Sequence, residues 1–359
     1  MKKRLLILED GSVYEGKAFG SDNYRMGELI FQSDISGYQE IISDSSYYGQ
    51  IVMMTYPAIG NCGINRDDFE GLSPQLFGLV VKEYCEEPSN WRSDATLDEF
   101  MKLKNIAGIA DIDTREITRK IRDHGVLKAM MADEDADVEA IVKMMKETEL
   151  LSDGVAKVST QKPFPIPSRG KKVVLVDIGT KYAVIREFNM RGCDLMVVPY
   201  NMSAEDILAI HPDGIVYAGG PGSPYDIEET ITNAKALLGK CPIMATGLGH
   251  EVLAVALGAS VKKMKVGHHG NSTPVRNLKK NKVEFTSQNH GYDIDEASLA
   301  NTGITVTHTA LNDNSIEGFV HESYSLMSFA FDPAAAPGAD DVAYVFDEFC
   351  EMMNERGAK

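Results

Sequence analysis

Short apolar runs alternate with helical patterns through the second half of the chain. Apolar runs bounded by turn residues predict buried strands, and apolar residues spaced three and four positions apart predict the helices between them. The predicted strands are Val173–Asp177, Leu195–Pro199, Gly214–Ala218, Ile243–Thr246, Ile304–His308, Ile316–Val320 and Leu326–Phe331. The predicted helices are Ile185–Arg191, Ala204–Ile210, Thr230–Leu238, Glu251–Leu257 and Asp341–Met353. Apolar strands interleaved with helices indicate a mostly parallel sheet that helices cover on both faces.

The first half has shorter and more varied patterns, which indicate a mixed α/β domain. A strand at Leu5–Leu8 leads into a hairpin between short strands. The patterns further predict helices at Tyr38–Ser43 and Leu97–Leu103, a helix with Thr114 as its N-cap, and a charged helix over Met130–Glu149.

A proline-rich segment separates the two halves. Pro163, Pro165 and Pro167 stand at alternate positions, which disfavours both a helix and a central strand. We therefore expect an extended linker over residues 151–171, between an N-terminal domain over 1–150 and a C-terminal α/β domain over 172–359.

The composition limits the classes of function. The 359 residues include 36 basic and 53 acidic ones, a formal net charge of −17, and we therefore expect no nucleic-acid partner. The five cysteines form no CxxC pair, so we expect no disulfide framework and no zinc site, and a reducing cytoplasm fits best. No apolar run approaches the roughly 20 residues that span a bilayer, so we expect no membrane partner.

The stretch from Cys241 to Ala254 has the pattern of a nucleophile elbow. A buried strand, a sharp turn and the start of a helix follow one another, as in hydrolytic enzymes that expose a Ser or Cys on the strained turn. Gly247 stands at the position of that nucleophile. The chain therefore has the plan of a hydrolytic site without the atom that performs the attack.

A glycine-rich turn precedes the elbow. The sequence Ala218-Gly219-Gly220-Pro221-Gly222-Ser223-Pro224 follows a predicted strand and provides small residues with free backbone N–H groups. Such a turn can approach a substrate closely and donate hydrogen bonds to a developing oxyanion.

These motifs, with six further segments, closely resemble the small subunit of carbamoyl phosphate synthetase, a member of the class I glutamine amidotransferases. The segments that carry the resemblance are Ser36–Tyr47, Thr55–Asn61, Asp113–Arg115, Gly267–Gly270, Gln288–Tyr292 and Ser328–Gly338. They follow the family's order, and the resemblance extends from about residue 3 to 355, which is nearly the whole chain.

The resemblance implies a division of labour between two subunits. In this family the small subunit hydrolyses glutamine and passes ammonia to a large subunit, which uses ATP and bicarbonate to make carbamoyl phosphate. It implies that the N-terminal half docks onto a large subunit, that ATP and Mg belong to that subunit, and that this chain needs no cofactor. Pyrimidine and arginine biosynthesis are the pathways that it implies.

The family's catalytic residues are all replaced in this chain. Its Cys nucleophile falls on Gly247, its His base on Asp332 and the Glu that orients the base on Ala334. Gly247 cannot form a thioester, Asp332 is too weakly basic to replace imidazole, and Ala334 can orient nothing. We therefore expect that glutamine hydrolysis has been lost.

The glutamine-binding positions of the family are partly retained. Those that match or stand at such positions are Ser46, Gly220, Gly222, Leu248, Glu251, Asn289, Gly291 and Tyr292. Glu251 places a carboxylate where the family has an amide, and Tyr292 replaces the usual Phe. Ala183 and Ser223 likewise replace a usual Asn and Asp.

Other residues offer little in place of the lost triad. Thr246 precedes the turn and should face away from the pocket, and Cys241 lies at the entry of the strand, where free Cys is usually a small buried hydrophobe. His250 and His290 match family positions that are not the base. His268 and His269 are adjacent on a predicted strand and point to opposite faces, so we expect no metal site.

Three functions remain open. The chain could be a scaffold or regulatory small subunit of a synthetase that runs on free ammonia. It could instead bind glutamine or a related metabolite as a sensor without turnover. It could also be an active hydrolase with relocated chemistry, although no residue supplies the base that this requires. An engineered inactivation would change fewer positions than those that differ here.

Overall fold

The computed structural model describes residues 2–357 and divides them into two compact units. Unit 1 contains the chain up to Leu151 together with Lys265–His269. Unit 2 contains Ser152–Met264 and the chain from Gly270 onward. No helix among the described residues is long and apolar enough to cross a membrane.

Unit 1 is built on a closed barrel of seven strands with a separate two-stranded sheet. Its strands are β1 (Lys3–Leu8), β2 (Val13–Gly20), β3 (Gly27–Gln32), β4 (Gln50–Met54), β5 (Ala58–Ile59), β6 (Gly78–Val80), β7 (Glu83–Tyr84), β8 (Ala107–Ala110) and β9 (Leu127–Asp133). Its helices are α1 (Tyr38–Ser43), α2 (Leu97–Leu103), α3 (Thr114–His124) and α4 (Val138–Glu147). The barrel order is β1-β2-β8-β6-β4-β3-β9, and β9 pairs with both β1 and β3 to close it.

Two sequence predictions for unit 1 are wrong. The N-cap of α3 is Asp113, whose carboxylate accepts a hydrogen bond from the Glu116 N–H, while Thr114 is already the first helical residue. The helix predicted over Met130–Glu149 begins only at Val138, because Leu127–Asp133 forms the closing strand of the barrel. The predicted helices at Tyr38–Ser43 and Leu97–Leu103 are confirmed.

Unit 2 contains one ten-stranded sheet with helices on both sides. Its strands are β10 (Phe164–Ile166), β11 (Lys172–Asp177), β12 (Asp194–Pro199), β13 (Gly214–Ala218), β14 (Ile243–Thr246), β15 (Val261–Asn277), β16 (Lys282–Ile294), β17 (Thr305–Ala310), β18 (Ile316–His321) and β19 (Leu326–Phe329). Its helices are α5 (Gly154–Val158), α6 (Tyr182–Met190), α7 (Ala204–Ala209), α8 (Glu228–Leu237), α9 (Leu248–Ala256) and α10 (Tyr344–Gly357). The strand order is β10-β12-β11-β13-β14-β19-β18-β17-β15-β16.

The centre of this sheet is parallel, from β12 through β19 in that order, as the sequence predicts. Val174 and Val176 of β11 pack into one apolar layer, which α8 and α9 complete. Val173 and Leu175 pack into the opposite layer, together with residues of α6 and α10. Neighbouring residues of a buried strand thus face opposite layers, which is why these strands are apolar throughout.

The segment predicted to be an extended linker is partly structured. Residues 154–158 form the short helix α5, and Phe164–Ile166 pairs with β12 as the outermost strand of the sheet. The prolines around this strand are compatible with an edge position, where fewer N–H groups are needed for pairing.

Candidate active site

Four parallel strands of unit 2 end at one edge of the sheet, and the loops that follow them carry the candidate residues. Asp177 at the end of β11 lies beside Ala218 at the end of β13. Thr246 at the end of β14 lies beside Phe329 at the end of β19. Open α/β sheets bind ligands outside the carboxyl ends of their strands, so this edge is the candidate location of a ligand-binding site.

The turn at Gly247 has the geometry of a nucleophile elbow. Its backbone has φ 56° and ψ −131°, between the end of β14 and the start of α9. The Gly247 N–H donates to the Phe329 carbonyl at 3.0 Å, and the Gly247 carbonyl accepts from the His250 N–H at 2.9 Å. A Cβ added at Gly247 would lie 3.4 Å from Gly219 Cα, an ordinary van der Waals contact. The turn therefore has space for the first atom of a side chain, although its positive φ is one that residues other than glycine rarely adopt.

The glycine-rich turn packs directly against this elbow. Gly219, Gly220 and Gly222 all have positive φ, at 74°, 110° and 85°. A Cβ on Gly220 would stand 2.6 Å from the Ile178 carbonyl oxygen and 2.9 Å from Leu248 Cδ2, so no other residue fits there without a shift. Leu248 is the first residue of α9, and its N–H belongs to the donors that have no acceptor within the helix. The structure thus brings Gly219, Gly220, Gly247 and Leu248 together. The Gly219 and Gly247 N–H groups donate to the Thr246 and Phe329 carbonyls, so Gly220 and Leu248 are the candidate oxyanion donors.

Asp332, at the family's His position, forms an ion pair with Lys181. The Lys181 Nζ lies 2.5 Å from Asp332 Oδ2, and the two side chains are 7% and 21% exposed. The other carboxylate oxygen accepts the Ala334 N–H at 3.0 Å, and the Asp332 N–H donates to the Ser287 carbonyl at 2.8 Å. Both oxygens of Asp332 are therefore engaged in holding the segment after β19 in place.

The side chain of Ala334, at the family's Glu position, contributes only packing. It is half-buried and packs against the apolar layer that contains Phe331 and Phe346. Its methyl group can neither accept nor donate a hydrogen bond. Gly247, Asp332 and Ala334 thus lie on the elbow and on the loop that follows the adjacent strand, and they offer neither a thiol nor an imidazole.

Glu251 is a buried acid in the first turn of α9, with only 3% of its surface exposed. Burial raises its pKa well above the usual 4.5, and the nearby Asp293 acts in the same direction. Burial therefore favours the neutral acid over the carboxylate that the sequence alone suggests. A protonated carboxyl group offers one donor and one acceptor, the two functions that an amide also offers.

Two buried histidines near this edge are bonded within the protein. The His250 Nδ1 lies 2.9 Å from the Ser328 hydroxyl, and burial lowers the pKa of His250 to about 3, so that it is neutral. The His290 Nδ1 lies 3.0 Å from the Tyr292 carbonyl, and its Nε2 lies 3.6 Å from Glu317. These contacts agree with structural roles for both imidazoles.

The other predicted ligand-binding residues fall into two groups. Asn289, Gly291 and Tyr292 lie on β16 in unit 2, and a Cβ at Gly291 would meet no heavy atom within 4 Å. Ser46 lies in unit 1, in a one-turn 3₁₀ helix where its N–H donates to the Asp44 carboxylate at 2.8 Å. Their contacts with glutamine stay predictions.

Sequence reasoning missed Lys181. It follows β11 by a few residues and serves as the N-cap of α6 without a side-chain capping bond. A lysine just past the carboxyl end of a buried parallel strand was the available signal, because functional side chains are often found at that edge.

The two residues considered as substitute nucleophiles, Thr246 and Cys241, are both buried, at 2% and 5% exposure.

Comparison with known proteins agrees with this geometry. Residues 6–131 match the family described as carbamoyl-phosphate synthase small chain, CPSase domain, and residues 174–352 match glutamine amidotransferase class-I. The carbamoyl phosphate synthase pyrimidine-specific small chain of Bacillus subtilis is 51% identical over 351 residues, which cover 98% of this chain and 96% of that protein. The protein of the same name from Halalkalibacterium halodurans is 49% identical over 98% of this chain and 97% of its own length. The carbamoyl phosphate synthase small chain of Oceanobacillus iheyensis is 49% identical over 100% of this chain and 98% of its own length.

Proposed function

Because the chain belongs to the carbamoyl phosphate synthase small chain family, we propose that it is a small subunit that has lost glutamine hydrolysis and acts as a scaffold or regulator of a large synthetase subunit. One observation carries this proposal. The elbow turn keeps its backbone geometry and its space for a side chain, yet Gly247 occupies it.

The missing groups account for each step of the lost reaction. Hydrolysis begins when a thiolate attacks the carboxamide carbon, and Gly247 supplies no thiolate. A base must accept the thiol proton and return it to the leaving ammonia, but Asp332 is tied to Lys181 and to the Ala334 amide. In hydrolases of this design, loss of the nucleophile lowers kcat by roughly 10⁶-fold. The remaining oxyanion donors do not replace it.

The nitrogen source of the complex then becomes free ammonia. A large subunit that binds this chain would take up ammonia from solution and use its own ATP and Mg. The pyrimidine-specific names of two relatives favour pyrimidine biosynthesis in the cytoplasm as its setting, with arginine biosynthesis as the alternative.

Co-purification followed by an activity assay tests the proposal. The tagged chain is isolated from its own cells, and we expect a large synthetase subunit to accompany it. The complex should make carbamoyl phosphate from ATP, bicarbonate and ammonium, and no product should form when glutamine replaces ammonium. The same large subunit combined with the Bacillus subtilis small chain is the positive control for glutamine use. Glutamine-dependent product that a glutaminase inhibitor abolishes would overturn the proposal.

A second function, the binding of glutamine without turnover, is favoured by the burial of Glu251, which raises the pKa of this acid and favours its neutral form. A neutral acid can replace an amide in hydrogen bonding to a ligand, and the glycine turn beside Leu248 is intact. Isothermal calorimetry with glutamine, glutamate and ammonium distinguishes this sensor from a pure scaffold. Heat with glutamine that disappears in Glu251→Leu supports the sensor, whereas no heat with any of the three removes it.

A further inference from the structure

Two cysteines of unit 2 are far apart in sequence but close together in the structure. Cys193 lies just before β12 and is 2% exposed, and Cys350 lies within α10 and is half-buried. Their Sγ atoms are 3.9 Å apart, although the two positions are separated by 157 in sequence. Both are free thiols in this structure.

The surroundings make the two thiols unequal. The hydrogen bond with Cys193 lowers the pKa of the Cys350 thiol against the effect of burial, and the Arg191 guanidinium acts in the same direction. The same contact, together with burial, raises the pKa of Cys193. Cys350 is also the more exposed residue of the two, so an oxidant from solution reaches it first. A thiolate with a neighbouring thiol is the arrangement in which an attacking and a resolving cysteine are found.

We propose that Cys193 and Cys350 are a modification site at which a low-molecular-weight disulfide oxidises the two thiols to a reversible disulfide. The Cys350 thiolate attacks one sulfur of the oxidant, forms a mixed disulfide and releases one thiolate. The Cys193 thiol then gives up its proton and attacks the Cys350 sulfur, which releases the second thiolate. The protein pair loses two electrons and two protons, and the oxidant becomes two thiols, so the exchange balances.

The bond would join α10 to the start of β12 with a small local movement. The sulfurs have to close from 3.9 Å to the bonding distance of about 2.05 Å. The helix is already docked, because Phe346 and Phe349 of α10 pack edge-on against Phe188 of α6. A crosslink that encloses so long a loop restricts the unfolded chain, so the melting temperature of unit 2 should rise by roughly 5–15 °C.

Mass spectrometry of the full chain tests the site. The protein is treated with oxidised glutathione, its remaining thiols are alkylated, and it is digested without reductant. We expect one crosslinked peptide pair that joins Cys193 to Cys350, its disappearance after dithiothreitol, and a melting temperature that dithiothreitol lowers again. Cys62 is exposed, so its glutathione adduct confirms that the oxidant has acted.

Single-cysteine variants separate this pair from unspecific oxidation. In Cys193→Ala, Cys350 should stop at the glutathione adduct and the melting temperature should no longer depend on oxidation. Cys62→Ser is the matched control, and it should keep both the crosslink and the shift. If Cys193 and Cys350 of the parent protein are both alkylated while Cys62 carries glutathione, the proposal is wrong. A crosslink from either of them to a different cysteine would also overturn it.

Discussion

The ion pair between Lys181 and Asp332 should be the main support of the loop that carries Asp332, at the position of the family's base. In Asp332→Ala, the Lys181 ammonium stays at a position that is 7% exposed but loses this carboxylate. Removing one partner of a buried pair costs about 3–5 kcal/mol, because the other charge remains poorly solvated. Asp332 itself is 21% exposed, so water screens part of the interaction. We therefore expect Asp332→Ala to lower the free energy of unfolding of unit 2 by about 2–3 kcal/mol.

A double variant identifies the cause of this loss. Lys181→Met combined with Asp332→Ala removes both charges of the pair, so the double variant should be less destabilised than Asp332→Ala alone, by about 1 kcal/mol or more. The matched control is Asp295→Ala, which breaks an ion pair with Lys262 in the same unit. This pair is exposed, with 59% of the Lys262 side chain and 41% of the Asp295 side chain accessible. This control should cost at most about 1 kcal/mol.

The assay must report on unit 2 separately. Amide hydrogen exchange of the β14 and β19 backbone in the full chain measures the free energy of opening of these strands. Exchange of the β1 and β9 backbone in unit 1 is the internal control, and the free energy of opening measured there should be the same in the parent and the variants. If Asp332→Ala costs no more than Asp295→Ala, or if the double variant is no more stable than the single one, the ion pair does not hold this loop.

Three further substitutions test the elbow and its neighbours. Gly247→Cys should melt at the same or a lower temperature than the parent in calorimetry, because a residue other than glycine at φ 56° is strained by an energy of order 1–3 kcal/mol. A clearly higher melting temperature would contradict this. Gly220→Ala should destabilise unit 2 by about 2 kcal/mol or more, since its Cβ would stand 2.6 Å from the Ile178 oxygen. In the control Gly291→Ala the new Cβ would meet no atom within 4 Å, so the free energy of unfolding should change by at most about 0.5 kcal/mol. Equal urea midpoints for the two variants would refute the contact. Glu251 releases its proton near pH 4.5 when unfolded but only at higher pH when folded, so parent stability should fall as pH rises above about 5, by at most about 1.4 kcal/mol per unit. Glu251→Gln should lack this fall, and parallel pH profiles in urea titrations would show that Glu251 is ionised in the fold.

The sheet of unit 2 could be predicted because its strands are buried on both faces. Gly214–Ala218 and Ile243–Thr246 have the predicted bounds, since an apolar run flanked by turn residues leaves little choice of ends. The barrel of unit 1 was not predicted. Its closing strand, Leu127–Asp133, contains alanines and methionines that favour a helix locally, and pairing with two distant strands overrides that preference.

The candidate site likewise has parts that the sequence predicts and parts that it does not. The elbow and the glycine turn were predictable because positive φ and close approach require glycine, which the sequence displays directly. The contact of Lys181 with Asp332 depends on two loops that meet at one edge of the sheet, so no local sequence pattern predicts it. The raised pKa of Glu251 depends on its burial, which the tertiary packing around α9 decides.

The proline-bearing strand β10 has a consequence for the behaviour of the protein at high concentration. It pairs with β12 on one side and forms the outer boundary of the ten-stranded sheet on the other. Pro165 within it and the prolines on either side have no N–H to offer to a strand from a neighbouring molecule. This boundary therefore discourages sheet extension from one copy to the next, and the protein is protected there against aggregation through strand addition.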